Sequence, residues 1–267
     1  IRSDRLLYLG DDRTAQLRED VVYKRGFQEL YTDYLDYNLD SEIAYYFNGG
    51  QLIDTTNILS SILGYFYAHE NMARFYQSVV LISPEFTLKT DTLRYNTLSK
   101  IAYSFGPTEI INKEGTTIYA NGGEFRTEIN QTEISSGNIE TSEYILNGEK
   151  LFFDDFRQYY LGEGNVKLTS KENNLILLGD EGYHDKANGF SKIYGNAIMK
   201  KIMQLDTFYV AADTMVAIES EYDSAKRILA YPDIRIFKMN VQGIADSSAY
   251  FLADSIIMFY QNPILWT

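Results

Sequence analysis

"FTLKTDTLRYNTLSKIAYSFGPTEII", residues 86–111, sets out an order of residues that the chain repeats. An acid (Asp91) is followed four positions later by an aromatic (Tyr95), then by a polar turn, then by Gly-Pro and an apolar alternation. The same order returns in "FYVAADTMVAIESEYDSAKRILAYPDIRI" (208–236) and "GIADSSAYFLADSIIMFYQNPILW" (243–266). Phe86, Leu88, Leu93 and Tyr95 alternate with the period of a strand, and the step from even to odd across Thr90-Asp91 implies a kink there. Ile101, Tyr103 and Phe105 form a returning strand that closes at Gly106-Pro107, ahead of Ile110. Glycine, asparagine and proline suit a bend that a bulky mid-strand residue resists.

Anchoring each copy on the residue before the aromatic gives Asp4, Asp33, Leu63, Asp91, Asn121, Glu149, Gly179, Asp213 and Asp246, spaced 28 to 34 residues apart. Four positions on stand Tyr8, Tyr37, Tyr67, Tyr95, Phe125, Phe153, Tyr183, Ala217 and Tyr250, and only Ala217 breaks the aromatic column. A second feature keeps the same period. "GGQLI" (Gly49), "GPTEII" (Gly106), "GNIET" (Gly137), "GNVKL" (Gly164), "GNAIM" (Gly195), "PDIRI" (Pro232) and "NPILW" (Asn262) each open an apolar alternation. Two features that share one period mark a repeat architecture. "KIYGNAIMKKIMQL" (192–205) is the best helical rival, and its place on the repeat assigns it to a strand. The expectation is an all-β chain: an elongated twisted β-jellyroll of about nine two-stranded repeats, forming a single domain over residues 1–267. Sheet edges at its ends need capping or partners, and the chain reads as a piece of a longer precursor with any export signal upstream.

With 23 Tyr and 15 Phe among 267 residues, the composition suits pleated surfaces. A net charge of −13 argues against nucleic acid as a partner, since a polyanion repels phosphate backbones. Without cysteine there is neither a disulfide framework nor a thiolate metal site. No run approaches the length of a membrane-spanning helix.

Motifs for catalysis are lacking. His69-Glu70 starts a zincin pattern, but position 73 is Ala, so both His69 and His184 read as turn residues. The pairs Asp11-Asp12 and Asp154-Asp155 fall in turns, where aspartate is favoured for backbone reasons. A pair of carboxylates converging from different repeats stays open. The sequence is read as that of a non-enzyme with no cofactor.

The phrases "EGNVKLTSKENNLILLGDEGYHDKANGFSKIYGNAIM" and "SAYFLADSIIMFYQNPILW" resemble the OstA-like (organic solvent tolerance protein A-like) lipopolysaccharide-transport family. The resemblance implies a periplasmic β-jellyroll that carries or bridges lipopolysaccharide, shields lipid A acyl chains in an apolar groove, and joins other jellyroll domains end to end or its own copies head to tail. On this reading the groove is lined by Phe86, Leu88, Leu93, Tyr95, Ile101, Tyr103, Phe105, Ile110, Val166, Leu168, Val210, Met215, Ile234 and Ile236. The acidic balance does not fit a clamp for lipid A phosphates. The alternative is a structural or adhesive β-repeat protein that binds a protein or glycan through a Tyr-rich face.

Overall fold

The computed structural model describes residues 1–218, 227–238, 241–252 and 256–267, and among these every regular element is a β-strand. The chain divides into two units, Ile1–Thr132 and Glu133–Thr267. The first unit contains β1 (Arg5–Leu9), β2 (Thr14–Arg25), β3 (Gln28–Asn38), β4 (Ile43–Tyr46), β5 (Gly50–Asp54), β6 (Asn57–Ser61), β7 (Leu63–Tyr67), β8 (Met72–Ile82), β9 (Phe86–Asn96), β10 (Ile101–Asn112) and β11 (Thr117–Arg126). β12 (Gln131–Glu140) begins at the boundary. The second unit continues with β13 (Tyr144–Asp154), β14 (Tyr159–Ser170), β15 (Leu175–Asp185), β16 (Phe190–Ile202), β17 (Thr207–Ile218), β18 (Arg227–Tyr231), β19 (Ile234–Lys238), β20 (Val241–Ala245), β21 (Ser247–Phe251), β22 (Ile256–Tyr260) and β23 (Ile264–Trp266).

Within each unit successive long strands pair antiparallel, so the sheet is a meander. Five long strands are cut at a kink, into β4/β5, β6/β7, β18/β19, β20/β21 and β22/β23. With each cut pair counted once, the described residues hold eighteen long strands, the nine out-and-back repeats expected. Residues 192–202 of the helical rival lie in β16.

Five of the kinks share one construction, two residues of one strand facing a single acid of the neighbouring strand. Arg18↔Tyr34 and Val21↔Thr32 are paired, so Glu19 and Asp20 of β2 face the single residue Asp33 of β3. Gln77-Ser78 and Gly106-Pro107 both face Asp91; Gly164-Asn165 faces Asp180; Gly195-Asn196 faces Asp213. Both residues of the pairs Glu19-Asp20, Gln77-Ser78, Gly164-Asn165 and Gly195-Asn196 have positive φ, which turns the strand sharply. The bulged strand then steps four residues between inward side chains, Phe75 to Val79 in β8 and Ser104 to Thr108 in β10. The anchor strand steps three, Thr90 to Leu93 in β9 and Ala212 to Met215 in β17. A bend of this kind keeps the inner face inward on both sides of the corner.

The acid is also a hydrogen-bond acceptor. Asn165 donates to Glu149 at 2.5 Å, Asn196 to Asp180 at 3.0 Å and Asn262 to Asp246 at 3.1 Å, each pair sixteen residues apart. Two anchors shift by one from the sequence reading. The break falls at Ile62 rather than Leu63, because Phe66 points inward and Tyr67 does not. Asp180 replaces Gly179, with His184 standing where an aromatic was expected.

The first unit's interior is filled. Leu35, Leu59, Leu81, Leu88, Leu93 and Tyr95 are all 0% exposed, each contributing roughly 1.5–3 kcal/mol of burial if aliphatic. Buried polar groups among them form a hydrogen-bonded cluster, in which Asn57 Oδ1 alone is left without a partner among the described residues. The Tyr95 hydroxyl donates to Asp54 Oδ2 (2.9 Å), Asn57 donates to both Tyr95 and Thr127 (3.2 Å each), and the Lys100 ammonium meets Asp54 at 2.5 Å.

Candidate functional site

In the second unit the inner face is less completely closed. Val166, Leu177, Ile193, Met199, Val210 and Met215 form its core with Ile234 and Ile236, while Leu146 of β13 and Leu168 of β14 pack against that core only partly buried. Two cavities of about 80 and 30 Å³ meet at Leu146, Leu168 and His184. The outer one is walled by Ile139, Tyr144 and Tyr160, with Thr141, Ser142, Glu143 and Lys186 around it. The inner one is walled by Val166, Leu177, Ile193, Met215 and Ala217.

Small residues create this space. Ala217 stands where the column read from sequence lacks a ring, and it lines the inner cavity. Gly182 lies opposite, where a Cβ would meet Ile193 at 3.3 Å and Val166 at 3.5 Å.

His184 sits between two rings, 5.9 Å from Tyr144 and 5.7 Å from Tyr160, and its Nδ1 is 2.7 Å from Ser191 Oγ. Burial pushes its pKa below the usual imidazole value, against the opposing fields of Asp185 and Glu143 and with a smaller push from Lys186. The imidazole is therefore neutral at neutral pH. The cleft is thus apolar within, with a neutral polar wall and with Glu143 and Lys186 at its outer part.

Of the residues predicted to line a groove, Val166, Leu168 and Met215 come together in this cleft. Val210, Ile234 and Ile236 belong to the core beneath it. Leu88, Leu93, Tyr95 and Ile110 are sealed in the first unit's core, and Phe86 is partly buried at the start of β9. The expected inward facing of Ile101, Tyr103 and Phe105 is corrected: the inward residues of β10 are Ala102, Ser104, Thr108 and Ile110. Alternation reveals a strand but not which face is inner, and the large outward rings carry the Arg94 guanidinium, 4.6 Å from Tyr103 and 5.9 Å from Phe105. His69 lies in a turn with Nε2 3.6 Å from Glu42. Asp154 caps the turn after β13 by accepting the Arg157 amide at 2.9 Å. Among the described residues no group of three His, Asp or Glu could hold a metal ion, and no helix is long and apolar enough to cross a membrane.

Residues 1–91 match the OstA-like protein family. The matched OstA-like segment carries the kinks at Glu19-Asp20, Asn48-Gly49 and Gln77-Ser78 and ends at the anchor Asp91. Among solved structures, the chain is similar to LptH of Pseudomonas aeruginosa, described as the LptA-homologous periplasmic component of the lipopolysaccharide transport device. The two share 12% identity with a TM-score of 0.40, over 46% of this chain and 94% of that one. No curated protein matches.

Sequence reasoning missed Leu146, Tyr144, Tyr160 and His184 as cleft residues. The available signal was Ala217, since a gap in an otherwise aromatic column marks where an interior is not filled.

Proposed function

We propose that this chain acts in lipopolysaccharide transport, as a periplasmic carrier or bridge that shields lipid A acyl chains from water. The OstA-like match over residues 1–91 supports the transport role, and the open inner face at Leu146 and Leu168 is the observation that carries the lipid. Of the groove residues expected from sequence, Val166, Leu168 and Met215 then line the acyl site, joined by Leu146, Ile193 and Ala217.

A cavity of about 80 Å³ has room for two or three waters' share of liquid volume. An acyl chain therefore enters by displacing the side chains of Leu146 and Leu168, which are the least tightly held apolar groups of the wall. Each methylene that leaves water contributes about 0.8 kcal/mol, so a few suffice to offset that rearrangement. The headgroup stays outside, where Lys186 and Glu143 stand.

The same reading has the two units working as one OstA-like domain that meets neighbouring jellyroll domains, or another copy, through strand edges. β1, paired only with β2 among the described residues, has Leu6, Leu7 and Tyr8 half exposed or more, which suits such a contact. The chemistry asked of the protein is binding, with no cofactor and no covalent step.

The test is photo-crosslinking to purified lipopolysaccharide from positions 146, 168 and 215, with outward Lys150 and Lys167 as controls. Adducts confined to the three inner positions are expected. Equal labelling of both faces, or none, would overturn the reading.

A further inference from the structure

The outer face of the first unit carries a second feature, independent of the cleft. Register places Asp36, Tyr45, Tyr65, Arg74, Arg94, Tyr103 and Glu124 side by side in one row that crosses β3, β4, β7, β8, β9, β10 and β11. The acids at its two ends are occupied: Asp36 pairs with Arg18 at 2.8 Å and Glu124 with Arg126 at 2.6 Å.

Arg74 and Arg94 lie directly opposite each other, a pairing that costs stability when both members carry the same charge. Among the described residues neither forms an ion pair or hydrogen bond, in a chain with 37 acidic residues, and Arg94 Nε is buried without a partner. Rings fix both cations in place: Arg74 lies 5.1 Å from the Tyr67 centroid and Arg94 lies 4.6 Å from that of Tyr103. Tyr45 and Tyr65 stack at 4.7 Å, and Tyr65 meets Tyr67 at 6.3 Å, so the ring rows are rigid.

We propose that this row is a binding site for an acidic saccharide. An anionic group bridges the two guanidiniums and relieves their mutual repulsion, and their forked N–H donors match carboxylate or phosphate oxygens. The phenol hydroxyls of Tyr45, Tyr65, Tyr67 and Tyr103 make no hydrogen bond within the described residues, and each can both donate to and accept from a sugar hydroxyl. A ring array already ordered before the ligand arrives loses little entropy on binding. An acidic peptide would satisfy the arginines but would leave four phenols facing apolar or amide groups, and so fits less well.

Titration calorimetry on the full chain is the test, with oligogalacturonate as the carboxylate probe, a phosphorylated mannan as the phosphate probe, and malto-oligosaccharide, polyglutamate and inorganic phosphate as comparisons. The acidic sugars are expected to bind more tightly than all three comparisons, with whichever of the two is tighter naming the anion. The variant R74Q/R94Q is expected to weaken them at least about tenfold while keeping its circular dichroism spectrum. R74K/R94K preserves charge without the fork and is expected to fall between. Affinity for malto-oligosaccharide, polyglutamate or inorganic phosphate equal to that for the acidic sugars would overturn the assignment, as would no binding at all. Lipopolysaccharide crosslinking at Leu168 in R74Q/R94Q reads the cleft separately, so either idea can fail alone.

Discussion

Replacing Gly195 by alanine tests the corner construction where its geometry is best defined. Gly195 has φ +72°, in the left-handed region where an L residue costs about 1–2 kcal/mol. A Cβ at this position would stand 2.8 Å from Asp180 Cβ and 2.7 Å from its carboxylate, so β15 and β16 must separate locally. That separation stretches the 3.0 Å hydrogen bond from Asn196 to Asp180, worth about 1 kcal/mol. Gly195→Ala is therefore expected to destabilise the second unit by about 2–3 kcal/mol. With a urea slope of about 1–3 kcal/mol/M, the midpoint falls by about 0.7–3 M. In an Asp180→Gly background the clash and the hydrogen bond are already gone, so the same substitution is expected to cost only the backbone part, about 1–2 kcal/mol. Far-UV circular dichroism through a urea series on all four proteins measures this cycle. A midpoint unmoved by Gly195→Ala, or an equal cost in both backgrounds, would show that the acid and the glycine are not matched parts of one corner.

Other perturbations probe separate contacts. Lys100→Met leaves the Asp54 carboxylate, 1% exposed, without its cation and is expected to cost roughly 3 kcal/mol in urea unfolding, whereas Lys100→Arg retains most of it. Gly64→Ala drives a Cβ to 2.4 Å from the Tyr46 ring, which Gly50 already confines from its own side, and is expected to cost about 1–3 kcal/mol, much of it recovered by Tyr46→Leu. Burial pushes the Tyr46 phenol up to about 12, against the lowering effect of its hydrogen bond with Ser61, so the unfolded chain ionises there first as pH rises past 10. Its stabilising share is complete below pH 10 and disappears between 10 and about 12, and a Tyr46→Phe variant is expected to lose less stability over that interval in urea midpoints measured against pH. His184 carries the opposite sign: its lowered pKa means that stability is complete above the ordinary imidazole value near 6.5 and falls as pH drops through the folded value, which imidazole NMR shifts report directly.

The repeat was legible because each corner writes itself twice, once as an acid and once, sixteen residues on in the clearest cases, as Gly-Asn. What stayed hidden was the facing of the strands. Tyr103 and Phe105 alternate as convincingly as Leu93 and Tyr95, yet they point outward, because Ala102 and Ser104 are the residues small enough to lie under Tyr95 and its neighbours. Size pairing across a core is a tertiary property that no single strand carries. The shift of one anchor from Gly179 to Asp180 has a similar origin: His184 fills an aromatic place, and a search for aromatics slides past it. The cleft was half visible, since Val166, Leu168 and Met215 were named, while Tyr144, Leu146 and Tyr160 do not stand out in a chain with 23 tyrosines.

The sixteen-residue clamp has a bearing on how such a chain can form and vary. Every hydrogen-bonded corner is closed by residues near one another in sequence, so ordering can begin at any hairpin and spread to its neighbours without first closing a long loop. A whole thirty-residue turn of the meander could be gained or lost by gene duplication with only two junctions to heal. Length in a molecule of this build is free to vary one repeat at a time.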